Sequence, residues 1–223
     1  MTSNPLHHDV LWQIGPVGIT RPVVVTWGLI VAMALLARLT TRRLSIDEPG
    51  RLQAAAELLV ATLRDEMFAT VRLDPAPFLP LVGTIFLFIL GANLSGFVPG
   101  VEPPTAAIET DLALALTVFA AVLGWGVRRH GLWGYLKTYA QPSVLMLPLN
   151  LLESLTRVVS MSVRLFGNIM SGVVVSAVVL GLAGLLLPVP FMALELLTGV
   201  IQAYIFTVLA MVFIAAAAGD AGP

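Results

Sequence analysis

The sequence predicts an all-α integral membrane protein, with five membrane-crossing helices and one amphipathic surface helix in a single membrane domain over residues 1–223. Three observations carry that expectation. Of 223 residues, 58% are hydrophobic and only 11% charged, with a mean hydropathy of +0.94, whereas a core with a wetted exterior needs roughly 45–50% apolar residues. Apolar runs long enough to cross about 30 Å of hydrocarbon recur along the chain. The basic residues gather in alternate connections between those runs, as the positive-inside bias requires.

Residues 1–21 begin MTSNPLHHDV. They lack the basic n-region and small-residue cleavage site of a signal peptide, so residue 1 is expected to stay in the mature protein, outside the membrane. Residues 22–40, PVVVTWGLIVAMALLARLT, form the first span. Charges then recur, and over 51–71 the residues Leu52, Leu59, Leu63 and Met67 share one stripe of an amphipathic helix lying near the membrane surface. Residues 76–98 form span two and 108–127 span three. From Val144 to Leu187 the chain is almost continuously helix-compatible, broken only by Pro148. A helix over 149–187 would run roughly 58 Å, about twice the membrane, so it must tilt strongly or bend, with Gly181 and Gly184 as the places to bend. Pro188-Val189-Pro190 ends it, and 191–218 form the last span.

Arg38, Arg42, Arg43, Arg51, Arg64 and Arg72 lie between spans one and two, and Arg128, Arg129 and Lys137 follow span three. The connection at 99–110 has no basic residue and carries Glu102 and Glu109. The N-terminus is therefore expected outside and the C-terminus in the cytoplasm.

Several function classes fall away. The net charge is −1, and the 12 basic residues form no cluster with interleaved aromatics, so nucleic-acid binding is not expected. There is no cysteine, which removes thiolate chemistry and disulfides. None of the three histidines has metal-ligand spacing, and no zincin signature, phosphate loop or GxGxxG occurs, so neither a metal nor a cofactor is expected. Asn93-Leu94-Ser95 matches a glycosylation sequon but sits at the end of an apolar span.

The residues that carry chemistry lie in the last two helices. On a helix of 3.6 residues per turn, Arg157 and Arg164 fall on nearly the same face, joined by Ser160, Asn168 and Ser171. Glu195, Thr198 and Gln202 recur at i, i+3 and i+7 in the last span and make a second polar stripe. Two such stripes point to an aqueous or ion-conducting interface, because a polar side chain facing lipid has no partner. Plainer roles stand beside this one. Glu153 and Arg157, spaced i, i+4, can pair at the cytoplasmic surface with Arg157 snorkelling, Asn168 and Gln202 can serve as interhelical hydrogen bonds, and Glu195 can sit as a neutral carboxyl near the outer surface. Arg164 resists such a role, since no acidic residue lies within one turn and a guanidinium at bilayer depth costs several kcal/mol. A stand-alone secondary transporter would need an internal repeat, which the two halves do not show. An intramembrane hydrolase using Ser160 or Ser162 has no base beside either serine.

SVRLFGNIMSG at 162–172, IQAYIFTVLAMVFIAAA in the last span and FLPLVGTIFLFILGANLSGFVPG in span two resemble the stator subunit of rotary F-type ATP synthases. The resemblance runs from about 22 to 218, and RLFGN followed some forty residues later by QAYIF is its most specific pair. TRRLS, VPGVEPPT and LPLNLLESLTRVVS further resemble the N-type branch, whose rings are expected to carry sodium. The resemblance implies a long, strongly tilted helix pair facing a ring of c subunits, b-type peripheral stalk subunits as further partners, and a place in a bacterial or archaeal plasma membrane. It implies that Arg164 is the essential stator arginine, that Gln202 faces it, and that Asn168, Glu195, Ser160, Ser171, Thr198 and Asn93 border the ion pathway. Asn150, Glu153 and Arg157 are candidates for the inner half-channel, and the cargo is a proton or a sodium ion. Relatives often carry a titratable residue nine positions after the arginine; here it is Val173.

Overall fold

The computed structural model describes residues 10–14, 17–42, 44–45, 50–71, 76–98, 101–139, 143, 145–183 and 188–219. Within them, six helices carry the fold: α1 (Arg21–Thr41), α2 (Arg51–Val71), α3 (Leu79–Ser95), α4 (Ile108–Tyr139), α5 (Met146–Ala183) and α6 (Pro188–Gly219). Helices α1, α4, α5 and α6 are long and apolar enough to cross a membrane, while α3, at 17 residues, is shorter. Gly184, named above as a place to bend, lies outside the described residues.

The structure adds an element to the N-terminal segment. Strands β1 (Val10–Ile14) and β2 (Val17–Thr20) pair antiparallel, with an irregularity between Val10 and Trp12. VLWQI and VGIT are rich in β-branched and aromatic residues, the types that favour a pleated pairing, and they flank a Gly-Pro dipeptide.

Three prolines behave otherwise than as breakers. Pro148 lies inside the first turn of α5, and Pro188 and Pro190 lie inside the first turn of α6. The first turn has amide hydrogens without intrahelical acceptors, so a residue lacking one is tolerated there. Pro188 therefore opens the last helix. The helix that begins at Ile108 continues beyond residue 127, through Arg128 and Arg129, to a fold at Gly131 (φ 71°, ψ 165°). That region is open almost only to glycine. Beyond it the chain doubles back: a Cβ on Gly126 would lie 2.2 Å from the Tyr135 ring. Tyr135 and Tyr139 meet edge to face at 5.2 Å.

The returning segment is tied to α5. Asn150 Nδ2 donates to the Tyr139 carbonyl at 2.8 Å, and the Tyr139 and Ser154 hydroxyls lie 3.1 Å apart. Inside, Ile85 and Ile89 of α3, Ala115 and Val118 of α4, Val158, Met161 and Leu165 of α5, and Ala203, Phe206 and Ala210 of α6 form one buried cluster. Met67 brings α2 into a second cluster with Phe78, Val82, Met211 and Ile214. Helix α1 is both strongly apolar and largely exposed, as expected of side chains that face lipid.

Candidate functional site

The site lies where α5 meets α6. One face of α5 is core: Val158, Met161, Leu165 and Ile169 are buried, following the i, i+3, i+4 rule. Ser160, Val163, Arg164, Gly167 and Ser171 lie on exposed positions around the same helix. Arg164 reaches only the hydroxyl of Ser160, one turn earlier, at a marginal 3.5 Å. Among the described residues no carboxylate pairs with it. Its charge is thus presented outward from an apolar helix, with no neutralising carboxylate among the described residues.

Arg157, also exposed, is held differently. It pairs with Glu153 one turn earlier, and its guanidinium carbon lies 4.8 Å from the ring centre of Phe213 on α6. The i, i+4 ion pair is therefore present, with a cation–π contact that ties it to the neighbouring helix. Asn150 is bound to the Tyr139 carbonyl, as described.

Further along α5 a cavity of about 170 Å³ opens between the two helices. Asn168, Ser171 and Ser176 line it from α5, and Glu195 and Thr198 from α6. Ser171 donates to the Asn168 carbonyl at 2.9 Å and Thr198 to the Glu195 carbonyl at 3.0 Å, so both hydroxyls also serve their own backbones. Gly172 makes the room: a Cβ there would stand 2.3 Å from Glu195 Oε1 and 2.5 Å from its Cδ. A side chain at 172 would have to displace the Glu195 carboxyl. Amide Nδ2 of Asn168, hydroxyl Oγ of Ser176 and amide Nε2 of Gln202 are buried with no partner among the described residues. Buried donors seldom stay unpaired in native proteins.

Gln202 itself is 7% exposed and lies beside the core rather than on the cavity wall. Asn93, at the end of α3, is 6% exposed. Its Nδ2 donates to the Gly199 carbonyl at 2.9 Å, and its Oδ1 accepts from Thr105 Oγ1 at 2.9 Å. It braces α6 next to Thr198. The arrangement thus brings Asn168, Ser171, Glu195 and Thr198 together around one cavity, with Asn93 behind its α6 wall. Ser160 and Arg164 stand apart on the exposed face, and Asn150, Glu153 and Arg157 lie towards the start of α5.

A family profile described as ATP synthase A chain matches residues 23–215. The chain belongs to that family. It is 55% identical over 220 residues to "ATP synthase subunit a 2" of a Bradyrhizobium species, covering 99% of this chain and 98% of the relative. It is 45% identical to "ATP synthase subunit a 1" of Chlorobaculum parvum (93% and 92% covered) and 41% identical to "ATP synthase subunit a" of Albidiferax ferrireducens (93% and 90%). The matched region contains every site residue named above. With its long apolar helices, the chain is an integral membrane protein.

Three features of the chain are not legible in its sequence. Gly172 carries no signal of its own, because a glycine inside an apolar helix does not announce what will occupy its missing side chain. Thr105 sits in a single 3₁₀ turn, Pro104–Ala106, that the span-by-span reading passed over. Tyr204 of QAYIF donates to Glu66 Oε2 at 3.2 Å, linking α6 to α2 across 138 residues.

Proposed function

We propose that this chain is the stationary ion-conducting subunit of the membrane sector of an F-type ATP synthase, working against a ring of c subunits and held by b-type peripheral stalk subunits. The observation that carries the mechanism is the outward, unneutralised Arg164 on the same helix as the Asn168–Glu195 cavity.

A rotor carboxylate that carries its ion is neutral and can pass lipid, whereas an empty one is charged and cannot. A guanidinium about 4 Å away stabilises the empty form by about 4 kcal/mol at an effective dielectric near 20. At about 1.4 kcal/mol per pKa unit this is roughly three units, enough to release a bound proton, and the same attraction weakens the hold on sodium. The released ion leaves through one half-channel, and the next enters through the other. The cavity bordered by Asn168, Ser171, Glu195 and Thr198, with Asn93 behind it, forms the inner end of the outer half-channel. The family likeness gives Gln202 of α6 the place facing Arg164. Asn150, Glu153 and Arg157 border the route to the cytoplasm. The fixed charge of Arg164 also stops ions passing directly between the half-channels. Each charge that goes round with the ring delivers about 2.3 kcal/mol per 100 mV.

In this reading α3 is the fifth crossing. Its 17 residues rise about 25 Å, at the short end of what a bilayer accepts. Helix α5, with 38 residues, rises about 57 Å and lies strongly tilted beside α6 along the curved wall of the ring. The N-terminus is outside and the C-terminus cytoplasmic. The likeness to the N-type branch favours sodium as cargo.

The test is ion-driven ATP synthesis by the reconstituted complex carrying Arg164→Ala, measured with passive ion flux through the same vesicles at a clamped potential. Synthesis should vanish while passive flux persists or rises. Synthesis near the unmutated rate would overturn the role given to Arg164.

A further inference from the structure

One carboxylate in the protein core has no place in the mechanism above. Asp111, in the first turns of α4, is 0% exposed, and both of its carboxylate oxygens are buried with no partner among the described residues. It shares a stripe with Ala115 and Val118, which are 1% and 2% exposed and belong to the central apolar cluster. The acid therefore faces inward, one turn beyond that cluster.

Buried polar side chains adjoin the cluster on the neighbouring elements. Asn93 lies one turn beyond Ile89 of α3, and Gln202 one turn before Phe206 of α6. Ser162 of α5 is 2% exposed, and its hydroxyl, bonded to the Val158 carbonyl at 2.9 Å, lies 3.4 Å from the Asp111 carbonyl. Thr105 joins Asn93 from the 3₁₀ turn. Asn93, Thr105, Asp111, Ser162 and Gln202 are thus buried polar side chains beside the apolar core. Of the nearby charged groups, Glu109 is exposed on α4 and Arg164 is exposed on α5. An ionised carboxylate only accepts, and among the described residues this one has no hydrogen-bond donor to accept from. What it lacks is what the protein transports.

We propose that Asp111 is a docking carboxylate for the coupling cation, proton or sodium, on the outer side of the route to the α5–α6 interface. It takes the cation from water reaching the Asn93–Thr105 end of the core and passes it on unchanged. This rests on the ion-conducting role proposed above.

The test uses the whole complex in sealed vesicles, with Asp111→Asn and Asp111→Glu. ATP synthesis is driven by a proton gradient in sodium-free medium and, separately, by a sodium gradient. Passive flux is compared in Arg164→Ala with and without Asp111→Asn. Asp111→Asn keeps the shape but cannot hold a cation, so synthesis and passive flux should fall by about a hundredfold, the lower end of what a positioned proton-transferring group contributes. Asp111→Glu should restore most of the rate. The gradient whose effect is lost identifies the cation. A fall of less than about tenfold with both ions overturns the proposal and leaves Asp111 a structural acid. If Arg164→Ala alone leaves synthesis intact, the ion-conducting role of Arg164 fails whatever Asp111 does. Should Asp111→Asn not assemble, the unmutated complex decides: a water-soluble carbodiimide added outside should modify Asp111 and stop synthesis, and an unmodified Asp111 overturns the proposal.

Discussion

Replacing Gly172 with alanine sets two effects of opposite sign against each other. Alanine is the better helix former by about 1 kcal/mol, so on propensity alone Gly172→Ala should strengthen α5. The new Cβ, however, would stand 2.3 Å from Glu195 Oε1, where ordinary contacts begin near 3.4 Å. The carboxyl must therefore retreat by about 1 Å, and a misplacement of that size at a working group can cost about a hundredfold in rate. The expected outcome is a complex at least as heat-stable as the unmutated one, with ion-driven synthesis reduced by about ten- to a hundredfold. Glu195→Asp in the same chain shortens the acid by one methylene and should recover part of the loss. Assembly and thermal unfolding of the purified complex are measured beside synthesis in vesicles. Unchanged synthesis in Gly172→Ala would refute the reasoning, because the position of the Glu195 carboxyl would then not matter to ion flow.

Asn93→Leu should leave the Gly199 carbonyl and the Thr105 hydroxyl buried without their partner, at about 1–3 kcal/mol for each group; thermal unfolding of the complex should show the loss. Gly131→Ala must hold a side chain at φ 71°, ψ 165°, which costs about 1–3 kcal/mol and should loosen the Tyr139–Asn150 tie, read as faster proteolysis after α4. Glu153→Gln breaks an ion pair whose side chains are 42% and 59% exposed. Such a pair contributes about 0–1 kcal/mol, so stability should hardly change. A synthesis rate more than about tenfold lower with stability intact would show instead that Glu153 handles the ion.

The helices were legible because hydropathy and period act locally. The stripe of Arg157, Ser160, Arg164, Asn168 and Ser171 follows from 3.6 residues per turn, and Arg164 stood out because nothing within one turn could neutralise it. The ion pair of Glu153 with Arg157 was legible for the same reason, being four residues apart. Prolines misled at the ends of α5 and α6, since their effect depends on whether they fall inside the first turn, and the reversal at Gly131 was hidden because the residues on either side of it, RRH and LWG, read equally well as a continuing helix.

The sequence by itself determined that the chain is a helical membrane protein, which residues share a face within each helix, and which family motif it carries. Only the tertiary structure decided which faces meet. Gly172 against Glu195, Asn93 against Gly199 and Asp111 against Ser162 join residues 23, 106 and 51 positions apart. Periodicity orients a side chain about its own helix axis but says nothing of how far a neighbouring helix is rotated or shifted. That registry is set by packing of the whole core, where Ile89, Leu165 and Phe206 pack in one cluster and leave the buried polar groups and the cavity in the places their shapes allow.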